Sequence, residues 1–180
     1  IYTDDNFSAD VNEYRASDGF STVPPIVLTF GVPLDKDAFV GILDDHSASV
    51  SLASKTLLLH AESGTAVPHF VDLDERNSDP NREAMVIRPI EPLAETSRYI
   101  VVVRALDDAD GKVVETPEGF RRLRDGLNDP ELSALQEKYN DEIFPTIEEF
   151  GVDKAELLMA WDFSTGSDIH VLKDMMRARE

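Results

Sequence analysis

The stretch RYIVVVRAL, residues 98–106, decides the fold of this 180-residue chain. Its block from Ile100 to Val103 is apolar at four consecutive positions, and β-branched residues of this kind favour extended backbone. A strand that is apolar on both faces is typical of the middle of a sheet that is covered on both sides. The stretch therefore predicts a central strand, around which the other elements are arranged.

Further stretches rich in β-branched and aromatic residues predict more strands. The turn signal Ser63-Gly64 separates two of them, which are predicted to form a β-hairpin. Pro68 lies inside the second arm and predicts an edge position or a bulge there. The additional predicted strands are residues 26–30, 56–62, 65–72, 84–89 and 157–163.

Between the central strand and the last strand, the apolar residues recur at helical spacing. Thr116 before Pro117 predicts a helix start with Thr116 as the N-cap. A second, amphipathic helix is predicted to split or kink at Pro145 and to end at Gly151. Its apolar face is expected to pack on the strands. That face consists of Leu132, Leu135, Tyr139, Ile143, Ile147 and Phe150.

Short strands between turn signals are typical of an antiparallel β-sandwich. We predict a mainly β fold over residues 23–166, with a helical insertion at about residues 117–156, before the last strand. Residues 1–22 are predicted as an extended lead-in. Residues 167–180 are predicted as a C-terminal helix that leads to a following domain, because Ile169, Leu172 and Met176 lie at helical spacing.

The order of several short motifs resembles the bacterial Ig-like domains of surface-layer proteins and secreted multidomain enzymes. The motifs are P-x-I-x-L-x-F, P-L-D, V-I-R-P, P-L-x-x-x-x-x-Y-x-V-x-V, D-x-x-G and F-x-T, over about residues 23–115 and 157–166. The resemblance implies an Ig-like antiparallel β-sandwich, with Tyr99 as a corner tyrosine or a filler of the core edge. The matching residues are Pro25, Ile26, Phe30, Pro33, Leu34, Asp35, Ile87, Pro89, Pro92, Leu93, Tyr99, Val101, Val103, Asp108, Gly111, Phe163 and Thr165.

The helical insertion departs from the simple family. Together with DGFS at residues 18–21 and AWDF at residues 160–163, it is similar to the N-terminal domain of bacterial lipases described as virulence factors. In those proteins an α/β-hydrolase domain follows. The resemblance implies an extracellular or cell-surface location, with the periplasm as the alternative.

The net charge of the chain limits the classes of partner that it is expected to bind. It holds 36 acidic and 17 basic side chains, a net charge of -19, which argues against nucleic acid and anionic membranes as partners. No apolar run approaches the ~20 residues that span a bilayer, so we expect no membrane insertion. Solubility in a salty habitat is the favoured explanation of the charge, with cation binding and a basic partner as alternatives.

Catalytic motifs are absent from the sequence. There is no Cys, no G-x-S-x-G nucleophile elbow and no H-E-x-x-H zinc motif. His60 and His69 lie on the two arms of the predicted hairpin, but zinc needs a third ligand, so a structural role is favoured for them. We predict no catalytic residue and no cofactor apart from a candidate calcium ion.

The candidate calcium site is an acidic loop at Asp72, Asp74, Asn77 and Asp79. Carboxylate and amide oxygens are the ligands that calcium prefers. Asp and Asn also dominate ordinary turns for local reasons, so a solvated turn is the favoured interpretation. A shorter cluster at residues 107–110 has the same two interpretations.

These observations predict a non-catalytic accessory or structural module of a larger secreted or cell-surface protein. It would position a neighbouring domain of the same polypeptide, such as an α/β-hydrolase domain. Two alternatives stay open. One is the N-terminal part of a secreted lipase or esterase that contributes to its substrate site. The other is a calcium-dependent adhesion or glycan-binding module.

Overall fold

The computed structural model describes residues 18–168, except 75, 77, 78, 128 and 129, together with residue 179. The strands form two three-stranded antiparallel sheets with the orders β1-β4-β3 and β2-β5-β6. Strand β5 is the central strand of its sheet, as its apolar block predicts. The strands are β1 (Ile26–Leu28), β2 (Thr56–His60), β3 (His69–Leu73), β4 (Met85–Pro89), β5 (Arg98–Arg104) and β6 (Leu157–Ser164).

Helices fill the chain between β5 and β6. They are α1 (Glu118–Asp125), α2 (Ser133–Lys138), a π-helix (Tyr139–Ile143) and α3 (Phe144–Phe150). Short 3-10 helices cover Lys36–Ala38, His46–Val50, Pro80–Arg82 and Lys154–Glu156. Antiparallel strands are therefore confirmed, but strands and helices hold similar shares of the described residues, so the helical share is larger than a mainly β fold implies.

Two apolar clusters cover the two faces of the β2-β5-β6 sheet, because β5 is apolar on both sides. The first joins this sheet to the other one and includes Leu58, Val101 and Val103 with Met85 and Ile87. The second joins it to the helices. Its members are Leu57, Leu59, Ile100, Val102, Leu157 and Ala160 of the sheet, and Phe120, Leu123, Tyr139, Ile143, Phe144, Ile147 and Val152 of the helical region.

The predicted hairpin at Ser63-Gly64 is wrong beyond its first residues. His60 N–H donates to Thr65 C=O at 2.9 Å and Val67 N–H to Leu58 C=O at 2.7 Å, so pairing starts as predicted. It ends at Pro68, which has no N–H to donate. The chain then crosses to the other sheet, because β3 pairs with β4 and not with β2.

The amphipathic helix splits near Pro145, as predicted. Phe144 N–H donates to Tyr139 C=O, five residues back, and closes the π-helix just before the proline. Gly151 ends α3 with a φ of 105°, a left-handed conformation that glycine adopts readily. The predicted capping by Thr116 is wrong: α1 begins at Glu118 without a side-chain cap, and Thr116 instead accepts from Arg124 Nη1 at 3.3 Å.

The predicted apolar helix face is confirmed except at Leu135. Ile143 and Ile147 are fully buried against the sheet. Leu135 is 43% exposed, although Leu132 before it packs against the buried cluster. Phe120 and Phe144 take part in the buried cluster in addition to the predicted residues.

Most of the predicted lead-in and of the predicted C-terminal helix lies outside the described residues. The parts outside are residues 1–17 of the lead-in, and residues 169–178 and 180 of the helix. In the part of the chain that is described, no helix combines the length and apolarity that crossing a bilayer requires.

Candidate interaction surface

The predicted calcium ligands make local contacts where the structure describes them. Asp72 is an exposed residue of β3. Asp74 Oδ1 lies 2.9 Å from Nε of Arg76, and the hydrogen bond from Arg76 lowers the pKa of Asp74. Asn77 lies outside the described residues, so calcium binding at Asp72, Asp74, Asn77 and Asp79 stays a prediction.

The other acidic residues of these loops hold turns. Asp79 Oδ1 accepts from the backbone N–H of Asn81 at 3.0 Å and from its side-chain amide at 3.2 Å. Asp108 Oδ1 accepts from N–H of Asp110 at 3.0 Å and of Lys112 at 2.9 Å. Carboxylates often stabilise turns in this way. Within residues 18–168, apart from the gaps, no three His, Asp or Glu side chains form a group suited to a metal ion.

His69 is a buried structural residue that joins the two sheets. Only 1% of it is exposed. Its Nδ1 lies 2.9 Å from Val67 C=O, so Nδ1 carries the proton, and Nε2 accepts from Thr56 Oγ1 at 2.9 Å. Burial lowers the pKa of His69, although backbone hydrogen bonds with Val67 and Thr56 oppose that shift. Both ring nitrogens are therefore used within the fold, and the Nε2 bond links β3 to β2.

His60 lies in β2 and His69 in β3, and the hydrogen-bond partners of the two side chains are different. His60 Nδ1 lies 3.0 Å from Ser63 Oγ, and the Ser63 hydroxyl also accepts from Thr65 N–H at 3.3 Å. The His60 ring packs edge-on against Tyr99, with centroids 5.3 Å apart. The serine and histidine thus hold a turn, which agrees with the structural role favoured from the sequence.

A clasp joins the first described residues to the end of β6; we define it as residues 18–20 with residues 165–167. Phe20 N–H donates to Ser164 C=O at 2.9 Å, and Gly166 N–H donates to Phe20 C=O at 2.8 Å. Asp18 Oδ2 accepts from the Ser167 hydroxyl at 2.6 Å. The two ends of the described fold therefore meet at one corner.

Close backbone contact makes the clasp possible. A Cβ at Gly19 would lie 2.5 Å from the backbone N of Gly166, so only glycine fits there. Thr165, on the C-terminal side of the clasp, is 2% exposed. Its Oγ1 accepts from Ser97 N–H at 3.0 Å and donates to Ala94 C=O at 2.6 Å. The Thr165 half of the clasp is thus fixed to the segment that precedes β5.

An apolar groove of about 230 Å³ opens beside the clasp, between β1 and β6. We call it the β1–β6 groove. Both strands are edge strands of their sheets. Phe20 belongs to both the clasp and the groove, and its ring packs edge-on against Phe163 with centroids 5.9 Å apart. The residues that line the groove are Phe20, Pro24, Pro25, Ile26, Val27, Trp161 and Phe163.

A charged network on the other face of β6 fixes the helices to the sheet. Asp162 Oδ1 lies 2.7 Å from Lys138 Nζ, and its Oδ2 lies 3.2 Å from Arg98 Nε. The contact with Arg98 is an ion pair without hydrogen-bond geometry, and Arg98 also pairs with Glu142. Tyr139 donates to Ala160 C=O at 2.6 Å. Burial, and then the charge of Asp162, raise the pKa of Tyr139 to about 12.

Sequence reasoning missed the clasp and the groove, although it singled out their parts. Residues 18–21 and residues 160–163 carried the resemblance to lipase N-terminal domains, and the structure brings them together through Phe20 and Phe163. The useful signal was Gly19 between Asp18 and an aromatic residue, but nothing local in the sequence identifies its distant partner.

Comparison of the chain with models of known protein families finds no match. Comparison with curated proteins finds none either.

Proposed function

We propose that this chain is a non-catalytic accessory module of a larger secreted or cell-surface protein, and that it positions a neighbouring domain of the same polypeptide. The clasp carries the proposal. Because Asp18 and Ser167 are in contact, a domain joined at either end starts from the same corner of the module. Such a domain lies beside the module, whereas a linear spacer needs ends that are far apart.

The proposal includes an Ig-like sandwich as the fold. One apolar cluster that contains residues of both antiparallel sheets supports it. A second support is Tyr99 at the start of β5, whose hydroxyl accepts from Ala94 N–H at 2.9 Å. A tyrosine hydroxyl that bonds to the backbone a few residues upstream is a feature of Ig-type corners.

Three groups that hydrolytic chemistry would need have structural roles here. His69 is buried and uses both ring nitrogens within the fold, and His60 and Ser63 hold a turn. A general base must reach a substrate proton, and His69, at 1% exposure, does not. These contacts support the accessory role over a catalytic one.

Replacement of residues 18–167 by a short Gly-Ser linker in the full-length polypeptide tests the proposal. The meeting of Asp18 and Ser167 allows this replacement without stretching the chain. We expect the neighbouring domain to keep its turnover of small soluble substrates and to unfold at a lower temperature, because its docking partner is lost. An unchanged unfolding temperature would contradict the proposal. Loss of turnover in a still-folded domain would instead favour the alternative that this chain contributes to a lipase or esterase site.

A further inference from the structure

We propose that the β1–β6 groove is the surface on which the neighbouring domain docks, through a neutral, apolar patch of that domain. This inference rests on the proposed accessory function and adds the place and the chemistry of the contact. Three observations support it: the exposure of groove residues, the lack of charge in the groove lining and the position of the groove next to the clasp.

The groove exposes apolar side chains that a fold of this size would ordinarily cover. Phe20 is 64% exposed and Val27 is 58% exposed, and Val23, between them in the sequence, is also 58% exposed. Exposed apolar area costs about 25 cal/mol per Å² relative to burial. Clustered exposed residues of this kind mark interaction sites, in contrast to single ones scattered over a surface.

The groove is neutral on a strongly acidic protein. All seven of its lining residues are uncharged, while the chain carries a net charge of -19. A charged partner surface would lose solvation in this groove without gaining an ion pair there. A second copy of the chain is disfavoured because two chains of this charge repel each other. The groove therefore fits a partner patch that is apolar and uncharged.

The position of the groove favours a domain of the same polypeptide over a free partner. Phe20 lines the groove and is two residues from Asp18, and Phe163 is four residues from Ser167. Residues 1–17 or 168–180 separate such a domain from the clasp, and a linker that can span the two sites gives an effective concentration of about millimolar order. An untethered protein would have to reach a similar concentration in solution to occupy the groove to the same extent.

A matched pair of substitutions tests the docking surface. Val27→Asp places a charge in the groove, and Val113→Asp places the same charge at a valine of similar exposure, 64%, outside the groove lining. In the full-length polypeptide, we expect Val27→Asp to increase hydrogen exchange at residues 160–163 and to lower the unfolding temperature of the neighbouring domain. Val113→Asp should change neither. In the isolated 180-residue chain, both variants should show the same exchange at residues 160–163 as the unsubstituted chain.

Equal effects of the two variants in the full-length polypeptide would overturn the inference. The proposed function would still stand if the linker replacement lowered the unfolding temperature of the neighbouring domain, because docking would then use another surface. The isolated chain gives a second measurement, since Trp161 is its single tryptophan. Trp161 is partly buried against the core, so we expect acrylamide to quench it to an extent that does not change with protein concentration. Shielding that grows with concentration would assign the groove to a second copy and overturn the inference.

Discussion

His69 Nε2 and Thr56 Oγ1 lie 2.9 Å apart, and this buried hydrogen bond links β3 of one sheet to β2 of the other. In the neutral imidazole, Nδ1 donates to Val67 C=O and Nε2 accepts the proton of the Thr56 hydroxyl. The backbone of His69 is also held in place, because its N–H donates to Ser49 Oγ at 3.0 Å. Protonation of His69 would therefore place a charge on a buried residue in the connection between the sheets.

We predict that this histidine makes the fold less stable as the pH falls. Burial lowers the pKa of His69, so below about pH 6.5 the unfolded chain binds a proton that the native state does not. The contribution of His69 is complete above that pH and decreases below it, by at most about 1.4 kcal/mol per pH unit. Urea unfolding at about pH 7.5 and about pH 5.5 measures it.

His69→Gln is expected to remove this part of the pH dependence, because glutamine does not titrate. His46→Gln is the control, since it replaces a partly exposed histidine and should leave the dependence in place. The same slope in His69→Gln as in the unsubstituted chain would contradict the prediction.

Ile143→Ala and Leu135→Ala should differ strongly, although both residues lie on the predicted apolar helix face. Ile143 is fully buried between helix and sheet, and truncation of such a residue to alanine costs about 2–5 kcal/mol. Leu135 is 43% exposed, so its truncation should cost about 1 kcal/mol or less. Equilibrium unfolding of the two variants checks this. Equal losses would show that Leu135 belongs to the core.

Tyr139→Phe should destabilise the protein by about 1–3 kcal/mol, because it leaves the buried C=O of Ala160 without its donor. Absorbance titration provides a second readout. Tyr139 has a pKa of about 12 in the native state, whereas a tyrosine in the unfolded chain ionises near pH 10. Between these two pH values Tyr139 stays protonated only in the native state. Stability should therefore decrease above about pH 10 in the unsubstituted chain and less so in Tyr139→Phe.

Gly19→Ala should open the clasp. The new Cβ would lie 2.5 Å from the Gly166 nitrogen, and neither backbone segment can give way without losing the bonds between Phe20 and its partners. We expect the free energy of unfolding to fall and exchange at Gly166 N–H to rise. Gly119→Ala is the matched control, because nothing lies within 4 Å of that position in α1 and alanine favours a helix by about 1 kcal/mol over glycine.

Calcium should leave the unfolding temperature unchanged at about millimolar concentration, where a ligand selective for the native state would raise it. The reason is that Asp74 and Asp79 already accept hydrogen bonds from Arg76 and Asn81. Differential scanning fluorimetry with calcium, and with magnesium as a control for ionic strength, measures the effect. A rise specific to calcium that Asp74→Asn removes would contradict this expectation.

The strands were predictable because their apolar blocks are local signals. The block from Ile100 to Val103 predicts a strand covered on both sides, and its four residues are fully buried between two clusters. The failure at the hairpin has a physical reason. Ser63-Gly64 specifies only the turn. Pro68 ends the pairing with β2, and the buried residue His69 then begins a strand of the other sheet.

The interaction surface was not predictable in the same way, because it depends on contacts between distant residues. Asp18 and Ser167 are 149 residues apart in the sequence, and no periodicity relates them. Leu135 shows a similar limit. Helical spacing identifies the apolar face, but it does not show which residues of that face the tertiary structure covers.

The clasp also determines how the module responds to mechanical tension. A pulling force applied through both chain ends acts first on the contacts of Asp18 with Ser167 and of Phe20 with Ser164 and Gly166. Once these few bonds break, the load passes to β1 and β6, each of which pairs with a strand on one side only. Neither edge strand has a second partner strand in its sheet to share that load. Tension on this module would therefore break the clasp before it reaches the two sheets.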